Sequence, residues 1–173
     1  MITMDFKEVD NIVLVIGKTE GHIDQSLFAR VILDEKNGPP PEINLFNEKN
    51  NGESILNLID KGYVKSAHDI SLGGLLVAIS KMCIKGNKGI KINKSKNLIN
   101  EIEYFFAEDQ GRYLIEVNKE DLKEVTKILN KNSVHHEELG IITQNDMIIN
   151  EKTKVTIDEL KSYYTNWLSK YMS

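Results

Sequence analysis

The sequence predicts an α+β protein, built as a three-layer α/β/α arrangement around a mixed β-sheet. Three observations carry this. Ile12–Ile16 and Tyr113–Val117 are apolar runs of strand length. Two segments, 73–85 and 122–129, carry one-sided apolar stripes at helical spacing. Strands and helices also follow one another without strict alternation, which disfavours a purely parallel βαβ design.

The elements follow in order. Ile12–Ile16 reads as a buried strand stopped at Gly17. A polar loop with Gly17 and Gly21 leads to Asp24, a candidate cap for a short helix over Ser26–Ile32. Gly38-Pro39-Pro40-Pro41 fixes an extended crossing, because three successive prolines hold polyproline-like dihedrals. Asn51–Lys61 is expected as a helix, with Glu53 in its first turn, a face of Ile55, Leu56 and Ile59, and a stop at Gly62. Tyr63–Ala67 reads as a strand, and Gly73–Lys85 as a helix with Leu75, Leu76, Ile79, Met82 and Cys83 on one stripe. A strand over Lys88–Ile92 follows. Tyr104–Val117 holds two apolar pieces, the second a strand. Asn118-Lys-Glu-Asp121 resembles a capping box opening the next helix. Glu137–Ile142 and Met147–Ile149, split by four polar residues, read as a hairpin. Thr156-Ile-Asp-Glu159 is a full capping box for a last helix reaching about Lys170.

Composition narrows the function classes. The chain has 173 residues, 22 Lys+Arg against 26 Asp+Glu, a net charge of -4, 40% hydrophobic residues and one cysteine. A single domain, 1–173, of this size buries about two-thirds of its extended surface and needs no staples. Mild acidity argues against a nucleic-acid binder. No apolar run approaches the ~20 residues of a membrane span. Met1–Phe6 lacks the pattern of a signal peptide. A cytoplasmic, soluble chain is expected. Cys83 reads as core, and one cysteine builds neither an internal disulfide nor a cysteine-rich zinc site. His135 and His136 are adjacent, so on a strand they face opposite ways and cannot chelate one ion. Trp167, with Tyr163, Tyr164 and Tyr171, is expected to form a packing face of the last helix, against the sheet or against a missing partner.

Two stretches carry candidate chemistry. Ser66-Ala-His68-Asp69-Ile-Ser71-Leu-Gly73-Gly74 leaves a strand and enters a helix. Two glycines admit close approach to the backbone, and the first amides of a helix favour an anion such as phosphate. Asp69 is a candidate Mg²⁺ ligand, Ser71 a cap or phosphate donor, and His68 a donor to phosphate or an orienter of Asp69. A plain tight turn with an ordinary cap fits the same spacing. The second stretch, Phe105-Phe106-Ala-Glu108-Asp109-Gln110-Gly111-Arg112, sets carboxylates and an arginine around a glycine. They suit a metal, a ribose or a phosphate, or else a solvated turn with an internal ion pair.

Together, Ser66–Leu75 and Phe106–Arg112 resemble the C-terminal domain of the synthetase component of phosphoribosylformylglycinamidine synthase. Ile16-Gly17-x-Thr19, Gln25–Phe28 and Gly38–Leu45 agree with that family in order and spacing, so the resemblance spans roughly Asn11–Leu139. It implies the fold of the C-terminal domain of aminoimidazole ribonucleotide synthetase. It also implies an ATP- and Mg²⁺-dependent ligase of de novo purine biosynthesis. Formylglycinamide ribonucleotide, ATP and ammonia from a glutaminase component would become formylglycinamidine ribonucleotide, ADP and phosphate. The resemblance carries over His68, Asp69, Ser71, Gly73 and Gly74 as a nucleotide-phosphate loop, with Asp69 the metal candidate. Glu108, Gln110 and Arg112 form a secondary set. It implies no catalytic residue in this chain alone, because sites in the superfamily form between domains. The remaining synthetase domains are therefore expected partners. Two departures matter: Leu72 replaces a usual Asp, and Asp24 replaces a usual Gly before Ser26. Asp109, where Ser is common, is milder. Alternative readings are a non-catalytic scaffold domain and a domain of another ATP-dependent member of the superfamily.

Overall fold

The computed structural model describes residues 1–92 and 100–172, the side chains of 167–170 excepted. The strands are β1 (Ile12–Ile16), β2 (Val64–Asp69), β3 (Gly89–Ile92), β4 (Tyr113–Val117), β5 (His136–Thr143), β6 (Asp146–Ile149) and β7 (Thr153–Thr156). The helices are α1 (Leu27–Ile32), α2 (Leu45–Asp60), α3 (Gly74–Gly86), α4 (Glu101–Phe106), α5 (Leu122–Lys131) and α6 (Ile157–Met172). The described strands form one sheet in the order β2-β4-β1-β5-β3-β6-β7. Its pairs are antiparallel except β3–β6, which is parallel.

Strand β1 is buried along its whole length, and its period-two alternation divides the core. Val13 and Val15 join Leu75, Ile79, Met82 and Phe105 on one face, beneath α3 and α4. Ile12, Leu14 and Ile16 join Ile55, Leu58, Val125 and Leu129 on the other, beneath α2 and α5. Helices on both faces make the three layers, so the sequence-derived fold class holds. Cys83 is buried in the first cluster, and burial pushes its thiol up to about 12. It packs as a small hydrophobe.

Several local readings need correction. Helix α1 is capped by Ser26, whose side chain accepts from the Ala29 amide, and not by Asp24. Helix α2 starts six residues earlier than the periodicity predicts, capped by Asn44 accepting from the Asn47 amide, so Glu53 lies in its interior. Its buried face is Asn51, Ser54, Ile55 and Leu58, while Leu56 is 61% exposed. The apolar piece at Tyr104 is the end of helix α4, started by Asn100 accepting from the Glu103 amide. Asn118 forms no capping box: its carbonyl accepts the Asp121 amide, and α5 begins beyond it. The expected capping box at Thr156 and Glu159 is formed in both directions. Tyr163, Tyr164 and Tyr171 are exposed, so they form no packing face against the sheet. The packing read for Trp167 lies outside the described residues.

The expected hairpin of β5 and β6 does not exist. Strand β3, from more than forty residues upstream, lies between them. The chain passes from β5 to β6 across the start of β3, at Gly89. A Cβ on Gly89 would overlap the Asp146 carbonyl, so the crossing requires glycine there.

A buried carboxylate ties the N-terminal segment to the sheet. Glu116, on β4, accepts from the backbone amides of Lys7 and Glu8, from Asn11 Nδ2 and from Ser66 Oγ at 2.7–3.0 Å. Bonds to a charged acceptor are the stronger kind. Glu116→Gln places an NH2 against these donors and is expected to cost about 2–4 kcal/mol. A urea titration followed by circular dichroism measures it, and a loss near zero would mean that these bonds add nothing over water.

Candidate functional site

The site begins where β2 leaves the sheet. The Ile70 amide donates to the Arg112 carbonyl at 2.9 Å, extending the β2–β4 ladder by one bond. The chain then turns through Ser71 and Leu72 into α3, with Gly73 and Gly74 at φ +88° and +71°. These are left-handed values that favour glycine. Contact demands it as well: a Cβ on Gly74 would stand 2.7 Å from the Ala107 carbonyl oxygen, and one on Gly73 would stand 2.6 Å from Val77 Cγ2. Gly74 thus seats the turn directly on the end of α4.

Within the turn, the Ser71 carbonyl accepts the Gly74 amide at 2.9 Å. Leu72 is 55% exposed. His68 Nδ1 lies 3.2 Å from Asp69 Oδ1, and the Asp69 side chain is 60% exposed. His68 Nε2 is buried and finds no partner among the described residues. Burial lowers the His68 pKa from its ordinary 6.5, Asp69 opposes this, and Lys81 adds to it. The imidazole is therefore neutral at pH 7. Because its folded value is depressed, the unfolded chain binds the proton first, and stability falls as pH drops through about 6.5. His68→Gln is expected to flatten that step in thermal melts collected from pH 7.5 to pH 5.

The second stretch is wired into this turn. Glu108 Oε1 accepts the Gly73 amide at 2.8 Å and the Leu27 amide at 2.7 Å. Asp109 accepts the amides of Glu20, Gly21 and His22 at 3.0, 3.2 and 3.0 Å. Arg112 is fully buried. Its guanidinium donates to the Ala107 carbonyl at 2.5 Å and to Thr19 Oγ1 at 3.1 Å, and lies 3.8 Å from Asp109 Oδ2. Burial lowers its pKa, while Asp109 holds it up. Two carboxylates and one guanidinium thereby fix three loops, 18–27, 70–74 and 107–112.

All eight residues read from the sequence therefore lie in one region, in distinct roles. Asp69, Ser71 and Gln110 expose polar atoms. Ser71, Leu72, Glu108 and Gln110 line a small cleft of ≈ 180 Å³, shared with Asp24 and Gln25. Glu108 and Arg112 spend hydrogen bonds on the protein itself.

A larger cleft of ≈ 930 Å³ lies on the other side of residues 109–111. Its walls are the 17–22 loop, the first turns of α2 from Asn44 to Asn51, and Ser133 with His135. Asn51 Nδ2 donates to the Gly111 carbonyl at 2.9 Å, and the Gly17 amide donates to the His135 carbonyl at 2.8 Å. Gly17 packs its α-carbon against Gly111, where a Cβ would stand 2.6 Å from the Gly111 carbonyl oxygen. Sequence reasoning missed Asn47, Glu48, Ser133 and His135 as lining residues. The one available signal was Asn44, a good helix cap next to the prolines.

This sheet, with a glycine turn between its edge strand β2 and the helix α3 and with helices on both faces, defines a three-layer α+β domain class. A family model for the AIR synthase related protein, C-terminal domain, matches residues 8–150, and the chain belongs to that family. It is 67% identical over 172 residues to phosphoribosylformylglycinamidine synthase subunit PurL of Pelagibacter ubique, covering 99% of this chain and 24% of that protein. It is 38% identical over 156 residues to the same subunit from Caldanaerobacter subterraneus, covering 90% and 21%. The chain thus spans about a quarter of the length of these curated relatives. Among solved structures, Thermotoga maritima PurL complexed with FGAR superposes with a TM-score of 0.76 at 19% identity, over 92% of this chain and 29% of that one. Thiamine-monophosphate kinase from Stenotrophomonas maltophilia superposes at 0.61 and 10% identity, over 86% and 52%. These two share the fold.

Proposed function

We propose that this chain is the C-terminal AIR-synthase-related domain of a phosphoribosylformylglycinamidine synthase. The single observation that carries this is the 67% identity to the Pelagibacter ubique subunit across 99% of the chain. The reaction would be ATP-dependent carbon–nitrogen ligation in the cytoplasm. ATP would transfer its γ-phosphoryl group to the amide oxygen of formylglycinamide ribonucleotide, releasing ADP, and ammonia from a glutaminase component would displace that oxygen as inorganic phosphate. The chain alone is expected to be inactive, because the remaining synthetase domains complete the site.

In this reading, residues 68–74 present a surface to nucleotide phosphate. Asp69 supplies an exposed carboxylate, with neutral His68 beside it. Among the described residues no group of three or more His, Cys, Asp or Glu side chains could hold a metal. One carboxylate fits Mg²⁺, which takes one or two carboxylates and completes its shell with phosphate oxygens and water. Asp69 would hold it, and the ion would neutralise phosphate charge. The protein's own contribution is positioning and a fixed electrostatic surface, and no covalent nucleophile is needed.

The test is a chimera in which this chain replaces the matched segment of the Pelagibacter ubique subunit. Retained synthesis of formylglycinamidine ribonucleotide is expected, and a folded but inactive chimera overturns the reading. Asp69→Ala in the chimera is expected to lower kcat/KM about a hundredfold. One observation favours a second reading, a domain that packs without touching nucleotide: the Gly73 amide is already bound by Glu108. Unchanged activity of the Asp69→Ala chimera decides for it.

A further inference from the structure

One oxygen of Glu108 receives two amides from loops 46 residues apart in sequence, Leu27 at the start of α1 and Gly73 at the start of α3. The Glu108 amide in turn donates to the His22 carbonyl at 3.1 Å. The 22–26 loop is pinned from its other side. Arg30 donates twice to the Gln25 carbonyl, and Gln25 Nε2 donates to the carbonyls of Lys36 and Gly38. Gln25 itself sits at φ +61°, a conformation that non-glycine residues keep only where the surroundings impose it. On the α3 side, Gly74 lies under Phe106 and Ala107, which brings the Gly73 amide within reach of Glu108.

From this geometry we infer that Glu108 is a positioning residue, an internal anion that clamps the 22–27 loop to the 68–74 turn. The inference rests on the reading of residues 68–74 as a nucleotide-phosphate surface and assigns Glu108 a place in it. Glu108 is not a ligand of the nucleotide. It occupies the anion position at the head of α3, so that Asp69 and Ser71 are presented from a fixed turn. Because one oxygen holds both amides, removing the Glu108 carboxylate takes the partner from both loops at once.

Amide hydrogen exchange on the 173-residue chain tests this directly. Glu108→Ala is expected to speed exchange at Leu27 and Gly73 together, by about tenfold or more, while amides of β1 stay protected. Glu108→Gln keeps a carbonyl oxygen that accepts both amides and is expected to retain protection. Glu108→Asp, one methylene short, is expected to lose it. Acetate at high concentration is expected to restore both amides in the Glu108→Ala chain, because a carboxylate can refill the vacated position. A mere packing role would show no such rescue. Exchange that changes at only one of the two amides, or not at all, overturns the clamp, and so does a Glu108→Gln chain that behaves like Glu108→Ala. If Glu108→Ala does not fold, the Gln and Asp variants decide by the same contrast.

In the chimera, Glu108→Ala is expected to raise the KM for ATP about tenfold, with Glu108→Gln close to the unmodified protein. An inactive unmodified chimera fails the functional reading and leaves the exchange result to judge the clamp. An active chimera whose KM ignores Glu108→Ala fails the clamp's functional role and leaves the reading intact.

Discussion

Arg112→Met is expected to destabilise the chain by about 3–5 kcal/mol, read as a fall in the urea midpoint at unchanged slope. The guanidinium is fully buried and bonded to the Ala107 carbonyl and to Thr19 Oγ1, and it balances the Asp109 carboxylate. A Met fills the volume but supplies no donor. The buried Ala107 carbonyl would then lose this donor, half-buried Thr19 would lose one as well, and Asp109 would keep only its three backbone amides. Arg112→Lys is expected to recover only part of the loss, because a single ammonium cannot reach three separated acceptors. A solvent-facing ion pair in the same place would contribute about 1 kcal/mol or less. A measured loss in that range would show that the arginine is not the internal tie described here.

Gly89→Ala is expected to cost about 3 kcal/mol or more, with the loss concentrated in β6, β7 and α6. The added methyl would overlap the Asp146 carbonyl, which is backbone and cannot rotate away. Gly52→Ala is the matched control. Gly52 lies in the interior of α2, and a Cβ there meets nothing within 4 Å. That change is expected to stabilise by about 0.5–1 kcal/mol through helix propensity. Equal effects at the two glycines would remove the argument from the crossing.

What the sequence discloses follows the range of the interactions. The strands β1 and β4 and the helix α3 are written in local runs, so periodicity finds them. The first turns of α2 are not, because Asn47, Asn50 and Asn51 are poor helix formers, held there by the Asn44 cap and by tertiary bonds. The hairpin was misread because the strand that separates β5 from β6 lies far upstream. The glycine turn of the candidate site was legible as a local pattern. The use of Glu108 was not, because its partner Leu27 is 81 residues away and the bond goes to a backbone amide, which leaves no trace in side-chain chemistry. The same holds for Asp109 with the amides of residues 20–22.

The strand order also bears on how the molecule assembles. Strands β5 and β6 are two residues apart, and a hairpin between them is among the fastest structures that such a stretch forms, on a scale of about 1–10 μs. The native sheet forbids it. Strands β6 and β7 join the sheet only through β3, so its far edge depends on Gly89–Ile92 being paired with β5. A position that looks like mere clearance for a carbonyl therefore governs whether the far edge of the sheet can be held in its native order. A chain that closed the local hairpin instead would leave β3 without its place between β5 and β6.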